Sequence, residues 1–345
     1  MKNIKMFLFL LLSLSILFAC SNNNSSQSNN DENIDEMEIT LGHHVNEEHM
    51  LHKFSEKFAE ALEEETEGKI TTNILSNGQL GEQKDVIDGL NLGTVDITVV
   101  DSPVLANFYK PLTILDLPYV FKTMDHSINA LEGELGNELK AGIEKKDLKL
   151  MSVFPSAYRT VVLTESSVDN PDDFNFEDLE GRKIRVLDSP IMVETFKSFD
   201  TEPTTIPSGE AYTSMQTNTV DGMESTPEFF NSIHIEEVGK YMVDTQHALV
   251  TQSFVMSADK FNELSDVEKK AFEVASDKAT EWYNEEIPAI DGESRDIMLE
   301  NDMEIIDIDL DKAAEAVSSN VEDYIDENEF EDLLEMIKDS DSGDE

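Results

Sequence analysis

The chain has 345 residues, with 74 Asp and Glu against 25 Lys and Arg, a formal net charge of −49 and a pI of about 4.2. A surface this negative repels phosphate backbones and excludes nucleic acid as a partner. With 39% apolar residues the chain can bury a real core, which excludes disorder throughout and fits one large domain or two lobes.

Lys2 and Lys5 precede an apolar run from Met6 to Ala19, too short for a permanent membrane span and suited to an export signal over residues 1–19. The run ends in Leu17-Phe18-Ala19-Cys20, and Cys20 is the only cysteine, so no internal disulfide forms. The arrangement resembles a bacterial lipoprotein signal, in which the cysteine is acylated and becomes the first residue. Residues 20–36 then read as a lipidated cysteine and a flexible tether, rich in Ser, Asn and acid.

Glu38 to Leu41 alternates like a strand. Glu47 to Thr66 sets Met50, Phe54, Phe58 and Leu62 at four-residue spacing, which predicts an amphipathic helix stopped by Gly68. Ile70 to Leu75 reads as a strand, Asn77-Gly78 as a turn, Glu82 to Leu92 as a helix closed by Gly93, and Val95 to Val100 as a buried strand. The order β-α-β-α-β implies parallel pairing. Pro103, Pro111 and Pro118 punctuate a crossing, followed by a predicted helix from about Asp125 to Lys145 and strands near Leu148 to Val153 and Arg159 to Leu163. A second unit begins with a strand at Lys183 to Val186, then helices near Pro190 to Phe199 and Gly209 to Asn218. Asn218 tolerates the left-handed backbone that ends a helix. Val220-Asp221-Gly222-Met223 resumes a strand, Ser265 to about Asn284 is a long helix carrying Trp282, and the segment from Asp326 is an acidic helical end or frayed. Two α/β units joined by crossings predict two lobes with a cleft suited to a small ligand.

Common enzyme signatures are missing: there is no Gly-rich phosphate loop, Gly-x-Ser-x-Gly, Cys-x-x-Cys or His-Glu-x-x-His. His43, His44, His49 and His52 cluster near the first strand and helix. His49 and His52 have metal-ligand spacing, though capping and core packing explain them more simply, and no metal or cofactor is expected. Scarcity is more informative than abundance. Only four of the 25 cations are arginine (Arg159, Arg182, Arg185, Arg295), and the acidic excess spread over the whole chain reads as adaptation to salty surroundings. Arg159 and Arg185 stand at the edges of predicted strands, where a planar guanidinium can grip a carboxylate with two parallel bonds. Composition alone leaves open that both are salt-bridge partners for an acidic body.

Seven ordered motifs lie between Ile39 and about Glu285: Asn77-Gly78-Gln79-Leu80-Gly81, Gly89 to Asp96, Leu115-Asp116-Leu117-Pro118-Tyr119-Val120-Phe121, Asp178 to Val186, Gly209-Glu210-Ala211-Tyr212, Val220 to Glu224, and Glu237 to Tyr241 leading to His247. Through them this stretch resembles the DctP family, the solute receptors of tripartite ATP-independent periplasmic (TRAP) transporters. The resemblance implies an α/β, two-lobed fold of the periplasmic-binding-protein type (type II-like), with a ligand cleft between lobes and a long helix in the C-terminal half. Residues 37–156 with about 251–288 would form lobe I, residues 157–250 with about 289–330 lobe II, and residues 331–345 an acidic tail.

The implied role is an extracytoplasmic receptor, not an enzyme, that closes on an organic acid and hands it to a small four-helix subunit and a large permease. Arg185 would pair with the ligand carboxylate and Arg159 assist; His44, Gln83, Asp101, Asp188, Ser208 and Ser225 are the other pocket positions carried over by motif. Many members carry Asn where Ser225 stands and an aromatic ring where Ser208 stands. Acceptors at Asp101 and Asp188 beside an arginine clamp favour a hydroxylated sugar acid, such as a uronate or aldonate, over a four-carbon dicarboxylate or keto acid. A sensory solute-binding lipoprotein is the alternative within the binding class, and a secreted hydrolase the alternative outside it.

Overall fold

The structure, a computed structural model, describes residues 34–341. The signal, Cys20 and most of the tether expected at the N-terminus lie outside the described residues. The first unit runs β1 (Met37–Gly42), α1 (Met50–Glu65), β2 (Ile70–Leu75), α2 (Gln83–Leu92) and β3 (Ile97–Asp101), with β1 paired in parallel to both β2 and β3. Local chemistry sets these elements. Met50, Phe54, Phe58 and Leu62 are all buried on one face of α1, and the chain leaves that helix through positive φ at Glu67 and Gly68.

A short α3 (Ser102–Leu105) follows, then α4 (Met124–Glu132), α5 (Glu134–Ile143) and β4 (Leu148–Tyr158). The single helix predicted from about Asp125 to Lys145 is therefore two. Gly133 breaks it with ψ of −146°, in a place where a Cβ would stand 2.8 Å from the Asn129 carbonyl oxygen.

The second unit contains β5 (Thr160–Leu163), β6 (Lys183–Val186), α6 (Pro190–Ser198), β7 (Glu202–Thr205), α7 (Ala211–Gln216), β8 (Gly222–Ser225), α8 (Pro227–Ser232) and β9 (Tyr241–Asp244). Asn218 takes the left-handed conformation after α7, with φ of 53°. The chain returns through β10 (Leu249–Ser257), α9 (Ala258–Glu263), α10 (Asp266–Glu300), β11 (Glu304–Asp307), α11 (Leu310–Asn328) and α12 (Glu331–Asp339).

Two sheets result, one ordered β2-β1-β3-β10-β4 and the other β11-β9-β5-β8-β6-β7. Strands β10 and β5 each run antiparallel to both of their neighbours. The chain passes between the sheets at Arg159, the single residue between β4 and β5, and again between β9 and β10. Apolar clusters cover both faces of each sheet.

The long helix outruns the stop expected near Asn284, because α10 continues through Pro288 to Glu300 over 35 residues. Proline removes one helical N–H. Packing on both sides keeps the helix continuous across that gap: Phe272, Ala275, Ala279, Tyr283 and Ile287 join the core of the first sheet, and Met298 joins the core of the second. The C-terminal segment is helical as far as Asp339, the helical end rather than the frayed alternative of its sequence reading. Ala313 and Val317 of α11 pack in the second sheet's core, while Ile325, Phe330, Leu333 and Ile337 pack beside Leu131, Leu135 and Leu139 of α4 and α5. Exposed acids mask an apolar stripe at helical spacing.

Candidate functional site

A cavity opens where strands of both sheets end. His44 follows β1, Asp101 closes β3, Leu187 follows β6 and Ser225 closes β8, and all four line it together with Arg159, Arg185, Ser208 and Gln252. Sites at the carboxyl ends of α/β strands arise because the chain turns there and leaves a crevice.

Strand register brings the charges together. Val161 of β5 lies opposite Glu224 of β8, and Arg185 of β6 lies beside Met223. Arg159, 2% exposed, donates from Nε to Glu224 Oε2 in a short ion pair. Glu224 Oε1 accepts from the Leu187 N–H at 2.7 Å and lies 3.9 Å from Arg185 Nη1. Burial alone would keep Glu224 protonated, but the Arg159 charge, the nearby His247 and Arg185 overcome it and bring its pKa down to about 2. Glu224 is thus ionised, fully buried and matched to Arg159. His247 stands behind it, with Nδ1 2.7 Å from Thr245 Oγ1 and Nε2 3.7 Å from Glu224 Oε2; burial lowers its pKa.

Arg185 is bound differently. Its Nε donates to the Ile206 carbonyl at 2.8 Å, but Nη1 and Nη2 reach only 3.4 Å contacts with the Glu224 carbonyl and Ser208 Oγ. Such lengths mark weak bonds. Burial brings its pKa to about 10, so it keeps its charge at neutral pH with two η nitrogens poorly engaged beside the cavity.

On the first-sheet wall, both carboxylate oxygens of Asp101 are already bonded: Oδ1 accepts from Gln252 Nε2 at 2.9 Å and Oδ2 from Gln83 Nε2 at 2.7 Å. Its N–H donates to Gln83 Oε1 at 2.8 Å. Burial opposes ionisation of Asp101, but His44, Arg159 and the two amides lower its pKa overall. Burial takes His44 down to about 4, so its ring is neutral at physiological pH.

Of the eight ligand positions expected from sequence, Arg185, Arg159, Asp101, His44, Ser208 and Ser225 line the one cavity. Gln83 stands behind them, holding Asp101 and lying 3.3 Å from His44 Nε2. Asp188 does not join them. It is part-exposed and pairs with Lys84 of α2, because the chain has already turned outward past Leu187. His49 caps α1, its Nδ1 accepting from the Leu51 N–H at 3.2 Å, and His43 and His52 form a buried pair 3.0 Å apart. No group of three or more His, Cys, Asp or Glu is arranged to hold a metal among the described residues.

Sequence reasoning missed Glu224, Gln252 and Asp116. Glu224 stands inside the motif Val220 to Glu224, and its only further signal was alternation on a strand next to arginine-bearing β6. Asp116 is 1% exposed; its Oδ2 accepts from Ser189 Oγ at 3.0 Å while Oδ1 has no partner. Burial pushes Asp116 up to about 8 against the pull of Arg159, with Glu224 and Asp101 adding to the rise.

The sequence and the fold both recur in known proteins. The profile of bacterial extracellular solute-binding protein family 7, DctP, matches residues 41–328. The 2,3-diketo-L-gulonate-binding periplasmic protein YiaO of Escherichia coli is 28% identical over 302 residues, covering 87% of this chain and 90% of its own length. A solute-binding protein of Chromohalobacter salexigens is 28% identical over 296 residues, covering 84% of this chain and 85% of its own. Among solved structures, a TRAP periplasmic solute-binding protein of Sulfitobacter with bound β-D-galacturonate superposes with a TM-score of 0.82 at 25% identity, covering 88% of this chain and all of its own (100%). The sugar acid binding protein DctPAm of Advenella mimigardefordensis, solved with galactonate, shares the fold with a TM-score of 0.83 at 22% identity, over 89% of this chain and 100% of its own. With the profile spanning most of the described residues, the chain belongs to the DctP family of TRAP solute-binding proteins.

Proposed function

We propose that the protein is the solute receptor of a TRAP transporter whose cargo is a sugar acid, a uronate or aldonate, gripped through its carboxylate by Arg185. The observation that carries this reading is the contrast between two buried arginines. Arg159 is neutralised by Glu224, whereas Arg185 presents η nitrogens with only 3.4 Å contacts to a cavity. A ligand carboxylate would supply the two short parallel bonds that a guanidinium fork is shaped to make. The relatives named for diketogulonate and solved with galacturonate support a hydroxylated acid over a four-carbon dicarboxylate.

The ligand is released unchanged and passes to the small and large membrane subunits of the transporter, a reading that the solute-binding family supports. The lipoprotein-like run ending at Cys20 supports acylation there and a tethered position at the outer face of a membrane. Labelled palmitate should enter the protein and be absent from a Cys20→Ala variant; equal labelling of both would remove the anchor.

Calorimetric titration with uronates and aldonates tests the clamp. Arg185→Ala should bind more weakly by about 2–5 kcal/mol, the cost of leaving one side of a desolvated charge pair unmatched. Arg185→Lys should also bind poorly, because a point charge cannot reproduce the fork. Wild-type affinity in Arg185→Ala with an unchanged fold would end this assignment.

A further inference from the structure

We propose that His44 and Gln252 act as a hydroxyl-reading pair, one donor and one acceptor on the first-sheet wall, and that Asp101 is the positioning residue that sets them. This rests on the carboxylate-receptor reading above and names the second feature of the cargo: a hydroxyl group carried away from the carboxylate that Arg185 holds.

The assignment follows from tracing protons through the network. Gln83 Oε1 accepts from the Asp101 N–H at 2.8 Å, which fixes which end of that amide is oxygen. Its Nε2 then donates to Asp101 Oδ2 at 2.7 Å and faces His44 Nε2 at 3.3 Å. An amide nitrogen can only donate, so His44 Nε2 is the accepting nitrogen. In a neutral ring the proton must then sit on Nδ1. That Nδ1 is buried and has no partner.

Gln252 is fixed by the same carboxylate. It is 3% exposed, and its Nε2 donates to Asp101 Oδ1 at 2.9 Å. Turning the amide over would set oxygen against an ionised oxygen. Its Oε1 is therefore held as the free end, and it too is buried without a partner. Both side chains line the cavity that Arg185 lines.

One unmatched N–H and one unmatched C=O remain. A hydroxyl group both gives and accepts a hydrogen, so a hydroxylated ligand offers a partner to each. A second carboxylate has no hydrogen to offer Gln252 Oε1 and would face the Asp101 charge; a bare methylene leaves both groups unmatched. Sites built to bond a hydroxyl reject analogues that lack it, because their buried polar groups are then left unpaired.

The test is calorimetric titration of the purified protein with D-galactonate, D-galacturonate, adipate and hexanoate, all of which carry a carboxylate for Arg185. The wild type should bind one of the hydroxylated acids at least about tenfold more tightly than adipate or hexanoate. Gln252→Met removes the acceptor at similar size and should lower that ratio by about tenfold or more. Asp101→Asn frees the Gln252 amide to turn over and should flatten the same ratio, which a purely structural loss would leave unchanged by weakening every acid alike. It also carries the test if Gln252→Met does not fold. Adipate bound more tightly than both hydroxylated acids, or a wild-type ratio in folded Gln252→Met, overturns the pair and leaves the carboxylate receptor standing. No acid bound by the wild type overturns both.

Discussion

Two buried carboxylates near Arg159 hold opposite protonation states. Burial is common to both, but Glu224 receives the Arg159 Nε–H directly and stays ionised, whereas Asp116 has only the Ser189 hydroxyl and is pushed up to about 8. Folded Asp116 therefore keeps its proton through neutral pH, while in the unfolded chain it ionises near 3.8. Between those values the unfolded state binds fewer protons, so this residue disfavours the fold progressively as pH rises from about 4 to 8. Asp116→Asn is neutral in both states and removes that slope. Its stability relative to wild type should climb across the window, and urea unfolding at about pH 5 and about pH 8 measures the difference. The same offset at both pH values would show that Asp116 is ionised in the fold. At this scale the two arginines were legible because arginine is rare in the chain. Which acids serve them was not, because one acid among 74 carries no local mark of burial.

Elements followed local rules closely where capping and periodicity agree. The β-α-β-α-β opening, the left-handed exits at Gly93 and Asn218, and the β6–α6 order all match their sequence signals. Where α10 and the C-terminal segment go beyond their local signals, long-range packing is the cause; the break at Gly133 is the reverse, a local interruption inside a helical pattern. Pro288 removes a helical N–H inside α10, and the run after Asp326 reads as an acidic helical end or a frayed segment, yet buried apolar side chains hold both as helix. Ile337, 1% exposed, anchors α12 against the core beside α5. Ile337→Ala should cost about 2–5 kcal/mol in urea unfolding, the usual range for a buried truncation. A loss below about 0.5 kcal/mol, the value of a surface change, would mean that α12 does not dock in solution.

Across the whole molecule, polar contacts join the parts that face one another around the cavity. Lys84 meets Asp188, Asn46 Nδ2 donates to the Ser232 carbonyl at 2.8 Å, and Ser189 donates to Asp116. Glu228 Oε1 accepts the Met50 N–H at the start of α1, where the helix dipole favours an anion. With a net charge of −49, an approaching anion is repelled by the outer surface and finds strong donors only inside, where Arg185 is shielded from water and counter-ions. Charge at the surface and charge in the cavity thus have opposite effects on the same ligand.

By itself, the sequence determined the two-unit α/β order, most helix and strand positions, the family motifs and the two arginines, since each rests on periodicity, turn chemistry or scarcity within a short window. Tertiary structure alone decided that Glu224 neutralises Arg159 across 65 residues of chain, that Asp188 turns away to Lys84, and that Gln83 and Gln252 occupy both oxygens of Asp101. These outcomes depend on strand register between distant segments and on which polar atoms are shut off from water, and neither is encoded in any local run of residues.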